Sequence, residues 1–199
     1  MVILISGWKG SGKDEAGKAI LSAFNAERRA FADPLKDLVA SKYQIPREWL
    51  DDRDKKEEAI LSLPASPRDA FADAVHKIIN KELKEVNGVK YWTPRALAIL
   101  EGSIARSVDP DFWVKTAIRG EENKIYVITD LRYRNEIEFV KQNCNKVLSI
   151  RIERFKTPNS EDASERDLDG YQGFDAIVQN DKDLNSLKEA VLFAVRNWL

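Results

Sequence analysis

Residues 2–14 read Val-Ile-Leu-Ile-Ser-Gly-Trp-Lys-Gly-Ser-Gly-Lys-Asp. The apolar run from Val2 to Ser6 reads as a buried strand, and the residues from Glu15 to Phe24 read as a helix. Strand, glycine-rich turn, lysine and helix in that order form a phosphate-binding loop. Glycine lets the backbone turn so that successive N–H groups converge on an anion, and the helix N-terminus adds a positive dipole end. Lys13 supplies a mobile cation for the outer phosphates of a polyphosphate. The commonest form of this loop follows its lysine with Ser or Thr, whose hydroxyl meets Mg²⁺. Asp14 stands there instead, and a carboxylate can hold that hard cation directly or through water. A plainer account makes Gly10 and Gly12 a tight turn and Asp14 a first-turn acid that favours the helix dipole. The flanking strand and helix favour the phosphate loop.

Working outward, the chain of 199 residues suits one α/β domain with an inserted lobe and can bury a sizeable core. Its 32 Lys and Arg balance 33 Asp and Glu, so nothing implies wholesale binding of nucleic acid, and any anion site must come from local placement of cations. Cys144 is the single cysteine, which rules out an intrachain disulfide and fits a reducing, cytoplasmic setting. His76 is the single histidine and reads as a structural helix residue. The N-terminus lacks the basic region of a signal peptide, and no stretch approaches membrane-spanning length.

A short second strand is expected over Arg29–Ala32, then a helix capped by Asp33 with Pro34 in its first turn. Residues 51–58 are a solvated charged run. Leu61 to Pro67 reads as a loop, and Pro67 to Val86 as a helix. Further helices are expected from Thr93-Pro94 to about Ser107 and from Asp109-Pro110 through Arg119. Lys124–Asp130, Val147–Ile152 and Asp175–Gln179 read as strands, while Arg134–Gln142 and Leu184–Trp198 read as helices. The polar stretch from Phe155 to Phe174 reads as a lobe able to move. Alternating strands and helices imply a parallel sheet covered on both faces, with ligands beyond the carboxyl ends of the strands. The expected fold is therefore a three-layer α/β P-loop NTPase fold over residues 1–199, with a helical substrate-binding insertion at 33–120 and a lid at 153–174.

Three constellations stand beyond the loop. Arg95, Gly102 and Arg106 fall within roughly 40° of one another on a helical wheel, with Leu97, Leu100 and Ile104 opposite. A mid-helix glycine costs about 1 kcal/mol against alanine, which close approach of a flat ligand would explain. Two guanidiniums beside it could grip a monophosphate by forked hydrogen bonds, or could instead pair with nearby acids on a solvated face. Asp130 ends a core strand, where such enzymes place an acid supporting the metal, and Arg132 follows within reach of a transferring phosphoryl group. The alternative has Asp130 capping the next helix and Arg132 pairing with Glu136. Arg151 and Arg154 adjoin the polar lobe, where cations can close over a nucleotide and exclude water, or simply occupy a surface loop. Asn180 and Asp181, after the last strand, could line an adenine pocket or form a turn.

Five stretches together resemble the phage-type deoxynucleoside monophosphate kinases of the wider nucleoside monophosphate kinase-like P-loop group. They are GWKGSGKDEA at 7–16, FADPLK at 31–36, TPRALAILEGSIAR at 93–106 with DPDFW at 109–113, ITDLRYRNE at 128–136 and SEDASE at 160–165. The Lys-Asp ending of the loop is itself typical of that family. Glu15 stands where members often carry Thr, and Gly102-Ser103 where they often carry Gly-Thr.

The resemblance implies transfer of the γ-phosphoryl of ATP, with Mg²⁺, to a deoxynucleoside monophosphate. It implies that Lys9, Gly10, Ser11, Gly12, Lys13, Asp14 and Glu15 hold the ATP phosphates; Asn180 joins the ATP-binding set by its place after the last strand. Lys36, Arg95, Gly102, Arg106 and Trp113 would border the monophosphate. On the resemblance Asp130 and Arg132 would serve the reacting centre; the residues' own placement adds Lys13 and Asp14 there, Asp14 and Asp130 for the metal, and Arg151 and Arg154 for the lid. Expected partners are small nucleotides, with neither nucleic acid nor membrane, and a homodimer is left open. Two rivals stay beside this reading. One is a kinase of another phosphorylated acceptor, such as dephospho-coenzyme A or phosphomevalonate. The other is a binding module switched by ATP.

Overall fold

The computed structural model describes residues 1–65, 73–119, 124–155 and 166–199, without the side chains of 73–77. Residues 67–72 of the expected Pro67–Val86 helix, the His76 side chain, the SEDASE stretch and residues 156–165 of the expected lid lie outside the described residues. The chain divides into two compact units, one made of residues 1–31 and 114–199, the other of residues 32–113.

The first unit is built on five strands: β1 (Val2–Gly7), β2 (Ala26–Arg29), β5 (Ile125–Ile128), β6 (Val147–Glu153) and β7 (Ala176–Gln179). The sheet order is β2-β5-β1-β6-β7, and every pairing is parallel. β1 is central, which explains its apolar sequence: Ile3, Leu4 and Ile5 are wholly buried. Period-two alternation then sorts its side chains between two layers. Ile3 and Ile5 join Leu148, Ile150 and Ile152 of β6 beneath α1 (Lys13–Ala23) and α7 (Leu184–Trp198). Val2 and Leu4 face the other way, with Ile128, into Val114 and Ala117 of α5 (Phe112–Ala117) and Ile137 and Val140 of α6 (Arg134–Asn143). Each fully buried side chain of this kind contributes about 1.5–3 kcal/mol. The result is a three-layer α/β P-loop architecture, as the strand and helix pattern predicts. All five strands run in one direction, so the phosphate loop after β1, Asp130 after β5, Arg154 after β6 and Asn180 after β7 share the carboxyl edge of the sheet.

The second unit packs α2 (Asp33–Tyr43), α3 (Asp73–Glu82) and α4 (Pro94–Val108) with 3₁₀ turns at Arg47–Leu50 and Lys55–Glu57. Its core joins Leu35 and Val39 of α2 to Ala96, Leu97 and Leu100 of α4, with Trp92 and Trp113. Buried Glu101 of α4 accepts hydrogen bonds from Lys42 Nζ (2.7 Å) and Tyr43 Oη (2.6 Å) of α2, so its charge is compensated.

Several expected boundaries are corrected. The second strand is Ala26–Arg29 rather than Arg29–Ala32. The helix expected to end at Val86 stops at Glu82, and an antiparallel hairpin follows, β3 (Lys84–Val86) with β4 (Val89–Tyr91). Asn87 (φ 52°) and Gly88 (φ 77°) both take positive φ, the requirement of a two-residue hairpin turn. The helix expected from Asp109 to Arg119 is confined to Phe112–Ala117. Ile104, placed on the apolar face of α4 by its spacing, is half exposed, and Val108 is more so, because the last turn of the helix runs past the packed core.

Candidate functional site

The phosphate loop is shaped by backbone that only glycine adopts easily. Gly10 has φ 81° and Gly12 has φ 99°, both left-handed. Gly12 is also the N-cap of α1, and its carbonyl accepts the first helical hydrogen bond from Ala16 (2.9 Å). The turn is closed by the Ser11 N–H donating to Trp8 O at 2.9 Å. A Cβ on Gly7 would lie 2.7 Å from Ile152 O, so glycine there permits close packing against β6. Lys13 opens α1 half-buried, Asp14 is exposed in the first turn, and Glu15 pairs with Lys18 at 2.6 Å. The Lys18 hydrogen bond and charge hold the Glu15 carboxyl below the usual glutamate range.

Two side chains from other strand ends grip the loop. Asn180 is buried; its N–H donates to Glu153 O (2.7 Å) and its Nδ2 to Ser11 O (2.8 Å). Arg154 Nη1 donates to Gly10 O at 3.2 Å. On the other side of β1, Asp130 Oδ1 accepts from Phe31 N (3.0 Å), which fixes the carboxylate at the strand end. Glu136 Oε2 accepts from the backbone N–H groups of Arg132 (2.9 Å) and Tyr133 (3.0 Å), ordering the turn on which the exposed Arg132 side chain stands.

The residues present fit a bound polyphosphate. Ser11 Oγ is buried and, among the described residues, lacks a hydrogen-bond partner, so it is open to a phosphate oxygen or a water. Around the position a Cβ would take on Gly10 there is open space to 4 Å. Mg²⁺ in such sites keeps several waters and takes one or two carboxylates beside phosphate oxygens, a donor set that Asp14 and Asp130 match in kind. Among the described residues there is no cluster of three His, Cys, Asp or Glu that would hold a metal by protein groups alone.

Arg151 corrects the expectation of a lid arginine. It lies within β6, buried, on the face opposite Ile150 and Ile152. Its guanidinium donates to Ser6 Oγ and Asp169 Oδ1, both at 3.0 Å, so its charge is compensated within the first unit. Asp169 belongs to a return segment also tied by Arg134 Nε to Asp167 O (2.8 Å) and Lys141 Nζ to Gly173 O (2.7 Å). A groove of about 880 Å³ between β7 and the second half of α7, lined by Ile177, Phe193 and Trp198 among others, shares no residue with the loop.

The other predicted residues sit in the second unit. Lys36 Nζ pairs with Asp51 (2.7 Å), which also pairs with Arg47. Arg95 is engaged by Glu57 (2.5 Å) and Glu82 (3.3 Å), so an anion reaching it competes with two carboxylates. Gly102 is buried: a Cβ there would lie 3.2 Å from both Leu35 Cδ2 and Arg106 Nη1. This puts the Arg106 guanidinium over Gly102, as the wheel predicts, but gives the glycine a packing reason against α2. Trp113 is buried in the core and its indole Nε1 is 3.4 Å from Gly102 O, so it supports α4 from within. Sequence reasoning missed the hold of Arg154 and Asn180 on loop carbonyls. Contacts separated by 144 and 169 residues leave no local pattern.

No protein-family model matches the chain, and no curated protein matches its sequence. Solved structures are similar at long range. A shikimate kinase from Aquifex aeolicus shares 12% identity at a TM-score of 0.43, covering 99% of this chain and 97% of its own. A sugar kinase from Janibacter sp. HTCC2649 shares 10% identity at 0.40, covering 98% and 94%. A shikimate kinase from Bacteroides thetaiotaomicron shares 13% at 0.29, covering 99% and 78%. Likenesses so distant carry no argument about reaction or substrate, and the architecture stands on the strand order and loop geometry of the chain itself.

Proposed function

We propose that the chain is an ATP-dependent kinase whose acceptor is a deoxynucleoside monophosphate. The observation that carries this reading is the loop between β1 and α1: two left-handed glycines, a buried serine hydroxyl without a partner among the described residues, and a helix N-terminus, beside Asp130 at the end of the adjacent strand. Bound ATP would supply the γ-phosphoryl group, and Mg²⁺ would offset charge on its oxygens. The loop amides and Lys13 bind the β- and γ-phosphates. Asp14 and Asp130 would hold the metal directly or through water, and Arg132 would offset charge that develops during transfer. Lys36, Arg95 and Arg106 supply cations for the acceptor phosphate, with Gly102 beneath Arg106 and Trp113 supporting that helix. Phosphoryl transfer asks for positioning and charge compensation more than covalent catalysis, and these residue types supply both.

The acceptor class rests on the five motif stretches and on the shared face of Gly102 and Arg106. The test is ADP release measured across a panel of deoxynucleoside and nucleoside monophosphates, with dephospho-coenzyme A and phosphomevalonate included. One or more deoxynucleoside monophosphates should stimulate turnover strongly. Stimulation by another acceptor alone moves the reading to that acceptor. No stimulation by any, with partner affinity that follows ATP, replaces it with a nucleotide-switched binding module. Lys13→Ala should lower turnover by about 100-fold or more at unchanged circular dichroism, because a charge-bearing donor to the transferring group is lost.

A further inference from the structure

We propose that Asn180 is a positioning residue that sets the phosphate loop in its binding conformation before any ligand arrives. The inference rests on the reading of residues 7–13 as a polyphosphate site and assigns Asn180 a role other than lining an adenine pocket.

A trans peptide points its C=O and the following N–H in opposite directions. Whatever holds a loop carbonyl therefore aims the next amide. Two peptides matter here. The Gly10–Ser11 peptide is fixed at both ends, its carbonyl by Arg154 Nη1 (3.2 Å) and its N–H by Trp8 O (2.9 Å). The Ser11–Gly12 peptide is held at its carbonyl by Asn180 Nδ2 (2.8 Å). That bond sends the Gly12 N–H to the opposite side.

The Ser11–Gly12 peptide needs such a tie. It precedes a glycine at φ 99°, and glycine populates positive and negative φ with similar ease, so this peptide can rotate between two orientations at little cost. In the rotated orientation a carbonyl replaces an N–H where an anion would bind. Asn180 is itself anchored through its backbone. It is buried, and its own N–H is spent on Glu153 O at 2.7 Å, at the end of β6. Its amide also fills the space a Cβ on Gly12 would take, 2.7 Å from Nδ2, so glycine and asparagine fit one another. A loop only partly in its competent conformation binds more weakly by that fraction.

The experiment measures affinity for inorganic tripolyphosphate and for ATP in the full-length protein, wild type against Asn180→Asp and Asn180→Ser. The aspartate keeps the shape but has no donor when ionised. Its loss should be roughly tenfold, the scale of one buried hydrogen bond, and equal for tripolyphosphate and ATP. As the pH falls and the carboxyl gains a proton it can donate again, so the ratio of variant to wild-type affinity at each pH should recover. Asn180→Ser should show the same loss without that recovery. Unchanged tripolyphosphate affinity with weakened ATP binding overturns the inference in favour of contact with the base. Equal affinities for both ligands in all three proteins overturn it outright, while leaving the phosphate site standing. A wild-type protein that binds neither ligand removes the site and the inference together. Should both variants lose the native circular dichroism, the wild-type protein decides through its Asn180 side-chain amide. Slow proton exchange there with and without tripolyphosphate supports the tie, and fast exchange without ligand refutes it.

Discussion

Two glycines two residues apart in the same loop face different constraints. Gly10 and Gly12 both hold positive φ, so an alanine at either pays a backbone penalty of about 1–2 kcal/mol. Only at Gly12 does the added Cβ also meet atoms, 2.7 Å from Asn180 Nδ2 and 2.9 Å from Leu187 Cδ2. Overpacking of that kind adds about 1–3 kcal/mol. Gly12→Ala should therefore destabilise the protein clearly more than Gly10→Ala in urea denaturation, and equal losses would mean that the contacts relax freely. The sequence displays both glycines and their place between strand and helix, but it does not display Asn180 or Leu187 beside one of them. Gly102 teaches the same lesson. Its oddity in mid-helix is legible, whereas Leu35, the neighbour that explains it, lies on another helix.

At the scale of elements, β1, β5, β6 and β7 all read correctly, and the apolar runs of the first three are the ones enclosed within the sheet. β2 lies outside the span its sequence suggests because its residues, Ala-Glu-Arg-Arg, form a sheet edge and carry little hydrophobic pattern. The helix expected to end at Val86 takes in β3, while β4 and the Asn87-Gly88 turn lie beyond it, and three-residue strands are too short for alternation to register. α4, by contrast, announces its start: Thr93 accepts from Ala96 N (3.0 Å) and donates to Glu82 O (2.9 Å), wholly buried. Thr93→Ala removes a cap and a partner of the part-buried Glu82 carbonyl, so a loss of about 1–2 kcal/mol is expected in chemical denaturation. Thr93→Ser should restore most of it. A second prediction concerns the tie between α2 and the turn at 47–50. Burial alone would raise the Asp51 carboxyl, but hydrogen bonds and charge from Lys36 and Arg47 outweigh it and hold the group below its ordinary value of 3.8. A carboxyl depressed in the folded state adds stability above its ordinary value and loses it as the pH falls through the folded one. The tie should thus be intact at neutral pH and weaken only below about pH 4. Carbon-detected titration of Asp51 should give a midpoint that rises in Arg47→Met, and an unmoved midpoint would remove Arg47 from the cause.

For the molecule as a whole, the chain leaves its α/β unit after Phe31 and returns at Val114, having built a separate hydrophobic core between. Leu97 belongs to that inserted core and Ile150 to the core of the sheet, and both are buried. Truncation to alanine at either costs about 2–5 kcal/mol. What differs is where the cost is felt. If each core stabilises its own unit, Leu97→Ala should speed amide exchange throughout residues 32–113 and leave β1, β5 and β6 close to wild type. Ile150→Ala should do the reverse, with loss of protection in β1 and β6 first. Saturating tripolyphosphate adds about 2.7 kcal/mol at 100 times its dissociation constant to whatever includes the loop. Its protection should therefore appear in the first unit even when Leu97→Ala has loosened the second. Equal acceleration across both units in Leu97→Ala would mean a single cooperative core, and polyphosphate would then protect the inserted residues as strongly as the sheet.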